Sequence, residues 1–214
     1  MRLFTLVKIN MELIFVTGNI YKMQEIRHLL GEGFQLGSLQ DLGFDDEIPE
    51  IHPTLEQNAS AKAFYIYERF SVDCFADDTG LEVETLNNKP GVWSARFAEI
   101  DPETKFRNKE ELTEANIIKL LDMLKGKDNR KARFRTVISL ILNGRETLFE
   151  GVAEGRITGE KRGGKGFGYD PVFIPEGYDK TFAEMSLEEK NKISHRARAL
   201  EKLVGFLKSL KGRE

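Results

Sequence analysis

Apolar positions repeat along the chain with two alternating periods, and each change of period marks an element. Glu12 to Val16 is a β-rich run closed by the polar triplet Thr17, Gly18 and Asn19. Beyond it Ile20, Met23, Ile26 and Leu30 recur on one side of a helix, so the segment reads as strand, turn and helix. Phe34 to Leu36 is a short second strand, and Asp41 to Pro53 is a loop carrying Asp45, Asp46, Glu47 and Glu50. Thr54 and Gln57 form a capping-box pattern ahead of Leu55, Ala59, Ala63, Ile66 and Phe70, the stripe of a second helix. Asn58 and Lys62 share an edge of that stripe, one turn apart.

Asp73 to Ala76 is a short apolar run ending in Asp77, Asp78, Thr79 and Gly80. It reads as a sheet strand that delivers two carboxylates to its carboxyl edge and stops at a glycine turn. Leu81 to Leu86 and Lys89 to Phe97 flank Asn87 and Asn88 as a hairpin beside the acids. Asn108 to Lys125 has the spacing of a helix. Ala132 to Leu142 and Glu146 to Ile157 are two longer strands about Asn143 and Gly144. A second capping box, Ser186 to Glu189, precedes Lys190. Ser194 then caps a last helix with Ala197, Leu200, Val204 and Leu207 as its stripe and His195 and Arg196 in its first turn.

Composition narrows the class. The chain has 214 residues, 40% hydrophobic and 31% charged, which suits one large domain or two intimate lobes of a soluble protein. A net charge of -3 supplies no global basic field for nucleic acid or membrane. No apolar run reaches about 18 residues. The single cysteine, Cys74, cannot form an internal disulfide and favours a reducing compartment. A cytoplasmic protein with small, local partners is expected, with residues 1–10 as an extension that lacks the pattern of a secretory leader.

Several segments carry chemistry, each with a plainer reading beside it. Asp77 and Asp78 hold a hard cation or merely cap a turn. The helix start after Thr17 to Asn19, with Lys22 in its first turn, is an anion site or an ordinary Asn cap. Lys62 reaches into a cleft or out to water. Gly159, Gly164 and Lys165 have P-loop spacing, but Gly166 stands where Ser or Thr is needed and a turn into a strand follows, so a P-loop is excluded. Gly166 to Gly168 is either a loop that lets backbone approach a ligand, with Phe167 or Tyr169 as a stacking surface, or a turn with core aromatics. His195 and Arg196 oppose the helix dipole, so they face an anionic or polar ligand or lie on the surface.

Taken together these segments resemble one family, the Ham1/RdgB-type inosine triphosphate pyrophosphatases. The matching pieces are Thr17, Gly18, Asn19 with Lys22; Asn58, Ala59 with Lys62; Ala76 to Leu81; Pro90, Gly91 with Ser94, Ala95, Arg96; Gly166 to Pro171; and Ser194, His195, Arg196. The departures are Thr79, where the family usually has Ser, and the extension, which suggests translation from Met11. The resemblance implies an α/β fold, a long mixed β-sheet flanked by helices with two lobes around a deep central cleft, formed by residues 11–214 as a single domain. It also implies a homodimer.

The implied reaction is hydrolysis of ITP, dITP or XTP, non-standard purine nucleoside triphosphates, to the monophosphate and pyrophosphate with Mg2+. By resemblance Asp78 is the catalytic acceptor and, with Glu50, the metal ligand, while Asp77 orients it or joins a second-metal arrangement. Thr17, Gly18, Asn19, Lys22, Lys62, Thr79 and Lys190 bind the phosphates. Phe167, Gly168, Tyr169, Asp170, His195 and Arg196 surround the base. A Maf-like pyrophosphatase with another base preference and a non-catalytic nucleotide-binding module are the rival readings.

Overall fold

The computed structural model describes residues 12–30, 35–100 and 105–211. The expected extension and Phe34 lie outside them. Seven strands form one mixed sheet: β1 (Glu12–Phe15), β2 (Gln35–Ser38), β3 (Cys74–Val83), β4 (Lys89–Gly91), β5 (Lys131–Leu142), β6 (Arg145–Ile157) and β7 (Phe173–Pro175). Their order is β2-β1-β3-β5-β6-β7, with β4 paired to β3. β1 runs parallel to β2 and β3, and the other pairings are antiparallel. Helices α1 (Ile20–Leu30), α2 (Leu55–Phe70), α3 (Lys109–Met123), α4 (Leu187–Asn191) and α5 (His195–Lys211) flank this sheet. The fold is the mixed α/β one that the resemblance implies.

Local chemistry explains the boundaries. Thr54 Oγ1 accepts the Gln57 N–H at 3.2 Å and starts α2, and Asn108 Oδ1 accepts the Glu111 N–H at 2.8 Å and starts α3. Ser186 and Glu189 form the reciprocal box expected before Lys190. Asn143 and Gly144, at φ 49° and 75°, make the left-handed two-residue turn that suits the twist of β5 and β6. The P-loop-like glycines lead through a single 3-10 turn, Asp170–Val172, into the short strand β7 and not into an α-helix.

The strand through the acids differs from the sequence expectation. It does not stop at a glycine turn: β3 continues through Asp77, Asp78 and Gly80 to Val83. A Cβ on Gly80 would lie 2.7 Å from the Gly91 carbonyl oxygen, so the glycine serves the close approach of β4 and not a reversal of the chain. The carboxyl-edge reading holds for the parallel part of the sheet, because β1 pairs with β3 only at Cys74 and Phe75 and leaves just before the acids.

Alternation along β3 then separates its two carboxylates. Phe75 packs with Phe15, Met23, Ile26, Leu200 and Leu203, the face of α1 and α5. Cys74 and Ala76 pack with Ala63 and Ile66 on the face of α2. Asp77 continues the first face and Asp78 the second. Further along, Leu81 and Val83 join Ile117, Leu120, Phe134, Phe173 and Phe182 in a separate core. The polar middle of β3 therefore lies between apolar clusters, and the charged residues of the molecule's centre gather there.

Candidate active site

On the α1 and α5 face, Asp77 accepts hydrogen bonds from Lys22 Nζ at 2.8 Å, Arg196 Nε at 3.1 Å and Thr79 Oγ1 at 3.3 Å. Arg196 also donates to Glu25 and, at 3.2 Å, to Thr79 Oγ1. Lys190 Nζ bridges Glu25 Oε1 and Asp170 Oδ2, both at 2.7 Å. Apart from half-buried Lys22 this chain of charges is buried, with Arg196 only 1% exposed. Burial pushes the Asp77 carboxyl up, but Lys22, Arg196 and Lys62 outweigh it and hold the group well below the usual carboxylate range. Glu25 is lowered in the same way, burial being overcome by Arg196 and Lys190.

The α2 face is built differently. Asp78 accepts from Asn58 Nδ2 at 3.0 Å and from the Thr79 N–H at 2.9 Å, both neutral donors. Among the described residues it makes no ion pair, and burial pushes its pKa up despite the nearby charge of Lys62. Asn58 is itself oriented, because its Oδ1 accepts the His52 N–H at 2.9 Å. Lys62 donates to the Asp77 carbonyl at 2.8 Å and to the Glu50 carboxylate. Arg96 donates to the Glu50 carbonyl, which ties the loop before α2 to the site. Of that loop's acids only Glu50 reaches inward; Asp45, Asp46 and Glu47 are exposed.

The glycine loop closes the third side. Gly166 and Gly168 have φ of 74° and 59°, and a Cβ on Gly166 would overlap the Asp170 carboxylate. That carboxylate accepts the Phe167 N–H at 2.9 Å. Phe167 is half-buried, with Lys190 Nζ 4.9 Å from its ring centre. Tyr169 instead belongs to the core and donates its hydroxyl to the Ser94 carbonyl at 3.0 Å.

Two short stretches carry the remaining expected residues. Thr17 Oγ1 accepts the Asn19 N–H at 3.1 Å, and Asn19 Oδ1 caps α1 by accepting the Tyr21 and Lys22 N–H groups. Gly18 is exposed. His195 is buried and stacked on Phe134 at 4.6 Å, and burial together with Arg196 keeps it neutral.

A description of the Ham1 family matches residues 13–206. The chain belongs to the Ham1 family. A dITP/XTP pyrophosphatase of Christiangramia forsetii is 48% identical over 197 residues, 92% of this chain and 99% of the relative. One from Aquifex aeolicus is 47% identical over 205 residues, 93% of this chain and 98% of the relative. The Ham1 protein of Staphylococcus aureus has a structure that superposes with a TM-score of 0.80 at 34% identity, covering 92% of this chain and 98% of that one.

In this Ham1 chain most of the sequence-derived residues gather around the middle of β3, while Tyr169 lies in the core and Gly18 is exposed. Asp77 and Asp78, adjacent in sequence, leave β3 on opposite faces, with Lys22 and Lys62 near both. Among the described residues no group of three or more Asp, Glu, His or Cys forms a metal cage. Arg196, in the first turn of α5, faces anions as the first of the two sequence readings has it, but they are the protein's own Glu25 and Asp77, while His195 is buried and neutral. Glu25 is the member that sequence reasoning missed. Its signal was available: it sits one turn after Lys22, within the buried side of α1 between Met23 and Ile26.

These shifts set a pH response. Asp77 and Glu25 have folded pKa values below their unfolded ones, so their stabilisation is complete above about pH 4 and is lost as the pH falls through the folded values. Asp78, raised in the fold, has the opposite sign and offsets part of that loss. Thermal melts from pH 6 down to pH 3 are expected to show a flat Tm followed by a steep fall below about pH 4. A Tm constant across that range contradicts the assignment.

Proposed function

We propose that the protein hydrolyses the non-standard purine nucleoside triphosphates ITP, dITP and XTP to the monophosphate and pyrophosphate, with Mg2+. It is a nucleoside triphosphate pyrophosphatase, working as a homodimer in the cytoplasm to cleanse the nucleotide pool. The observation that carries this reading is the contrast between two neighbouring carboxylates: Asp77 saturated by Lys22 and Arg196, Asp78 held by neutral donors alone. The names of the relatives supply the substrate class.

The donor set fits a hard cation. Lys22, Lys62, Arg96, Lys190 and Arg196 are balanced by Glu25, Glu50, Asp77, Asp78 and Asp170, so the site has no surplus positive charge for a triphosphate. Asp78 and Glu50 are two carboxylates, the number Mg2+ commonly takes from a protein beside substrate phosphates. When bound, Mg2+ supplies charge neutralisation and polarises water or the leaving group.

Asp78 then accepts the proton of the water that attacks the α-phosphorus. Asn58 and the Thr79 N–H orient it. Lys22, Lys62 and Lys190 exchange their protein carboxylates for phosphate oxygens and balance the charge of departing pyrophosphate, with Thr17 to Asn19 and Thr79 contributing at the same end. Asp77 keeps Arg196 in place as Lys22 turns from it to the phosphate. Phe167, on its glycine loop, stacks the base.

Edge reading falls to Asp170 and the His195 and Arg196 turn. Hypoxanthine and xanthine present an acceptor at O6 and a donor at N1, whereas adenine presents the reverse. Each reversed buried contact costs about 1–3 kcal/mol, enough over two contacts to reject ATP by orders of magnitude. A panel of triphosphates with and without Mg2+, scored for pyrophosphate, tests the reading. ITP, dITP and XTP are expected to lead the panel, with at least about a hundredfold loss without Mg2+. Orthophosphate as first product, or preference for a pyrimidine triphosphate, defeats it.

A further inference from the structure

Tyr21 has no role in the chemistry above, yet its ring lies parallel to Phe167. The ring centres are 5.5 Å apart and the planes 13° from parallel. Tyr21 occupies the first turn of α1, immediately before Lys22, and keeps 48% of its surface exposed. A large aromatic side chain so exposed adds little to the core. We propose that Tyr21 is the second wall of the base site, so that a purine binds between the Tyr21 and Phe167 rings. The inference rests on the purine nucleotide reading of this site and adds to it a residue on the opposite side of the base.

The two walls differ in what holds them. Tyr21 is fixed through its backbone, whose N–H donates to the Asn19 cap at 3.0 Å. Phe167 stands between two glycines at positive φ, and a Cβ on Gly168 would meet no atom within 4 Å. The loop therefore has room to move on the side away from Asp170. A flat base in van der Waals contact with both rings needs their centres roughly 7–8 Å apart, two spacings of about 3.5–4 Å. Opening from 5.5 Å is a shift of about 2 Å, within reach of a glycine-flanked loop.

Position supports the same assignment. The helical turn that aims Lys22 at Asp77 also carries Tyr21 to Phe167, so one turn of α1 serves both ends of a nucleotide. Around Phe167, Lys190 Nζ and the Arg196 guanidinium lie 4.9 and 5.7 Å from the ring centre. Both cations lie over the Phe167 ring and help to hold it, so a base in this slot has a ring on each face. Stacking of this kind tolerates any base, so it contributes affinity and leaves selection to the edge.

Steady-state kinetics of pyrophosphate release test the assignment on the full chain. Tyr21→Ala is expected to raise KM for ITP about tenfold while kcat stays within about threefold, and Tyr21→Phe to restore KM to within about twofold. An unchanged KM in Tyr21→Ala overturns the proposal, and so does a lowered KM, which makes Tyr21 a mere cover over Phe167. A wild-type protein that releases no pyrophosphate from ITP defeats the purine reading itself. Melting curves check the fold of Tyr21→Ala.

Discussion

Asp78→Asn is expected to abolish pyrophosphate release, lowering kcat for ITP by at least about a thousandfold while the protein stays folded. The substitution keeps the shape of the side chain and removes both its proton-accepting charge and its charge for a cation. What it removes from the fold is a buried carboxylate without an ion pair, whose charge burial already disfavours. Tm should therefore hold or rise, apart from the cost of re-pairing an amide against Asn58 Nδ2 and the Thr79 N–H, about 1 kcal/mol. Kinetics with ITP and a melting curve on the same preparation separate the two effects. Near-normal turnover defeats the assignment of Asp78, and a collapsed Tm means that the carboxylate has a structural duty this geometry lacks.

Arg196→Ala should show the inverse pattern, a large loss of stability. Arg196 is the bulkiest of the fully buried side chains and joins Glu25 to Asp77 across two elements. Its removal takes one of two cationic partners from each of two buried carboxylates, leaving Glu25 with Lys190 and Asp77 with Lys22, which costs about 3 kcal/mol, the low end for a broken buried pair, or roughly 6–12 °C in Tm for a chain of this size. Calorimetry at pH 7 reads the loss. Lowering the pH to protonate Glu25 and Asp77 should narrow the gap between variant and wild type, because a neutral acid suffers less from the missing partner. At temperatures where the variant is folded, its preference for ITP over ATP should also shrink. A Tm within a degree or two of wild type shows that the ion pairs are not needed by the fold.

Much of the architecture was legible along the chain because it depends on local rules. Capping at Thr54 and Ser186, the Asn143 and Gly144 turn and the stripe of α2 each follow from side chains a few residues apart. The glycine at 80 was misread because turn and close approach both favour glycine, and only the position of Gly91 distinguishes them. Tyr169 was ambiguous for a similar reason: an aromatic residue beside a flexible loop can stack on a ligand or fill a core, and the Ser94 carbonyl that receives its hydroxyl is distant in sequence.

By itself the sequence determined which residues carry the charge, hydroxyl or ring that the proposed chemistry calls on, since these are properties of each residue type. The tertiary structure alone decided how those charges are paired. Burial and pairing depend on groups brought together from far along the chain, as with Glu25, Lys190 and Arg196. The sharpest case is Asp77 and Asp78. Adjacent in sequence and chemically identical, they part company because β3 continues through them and a strand sends successive side chains to opposite faces. One is thereby locked among cations and the other held by the neutral donors Asn58 Nδ2 and the Thr79 N–H.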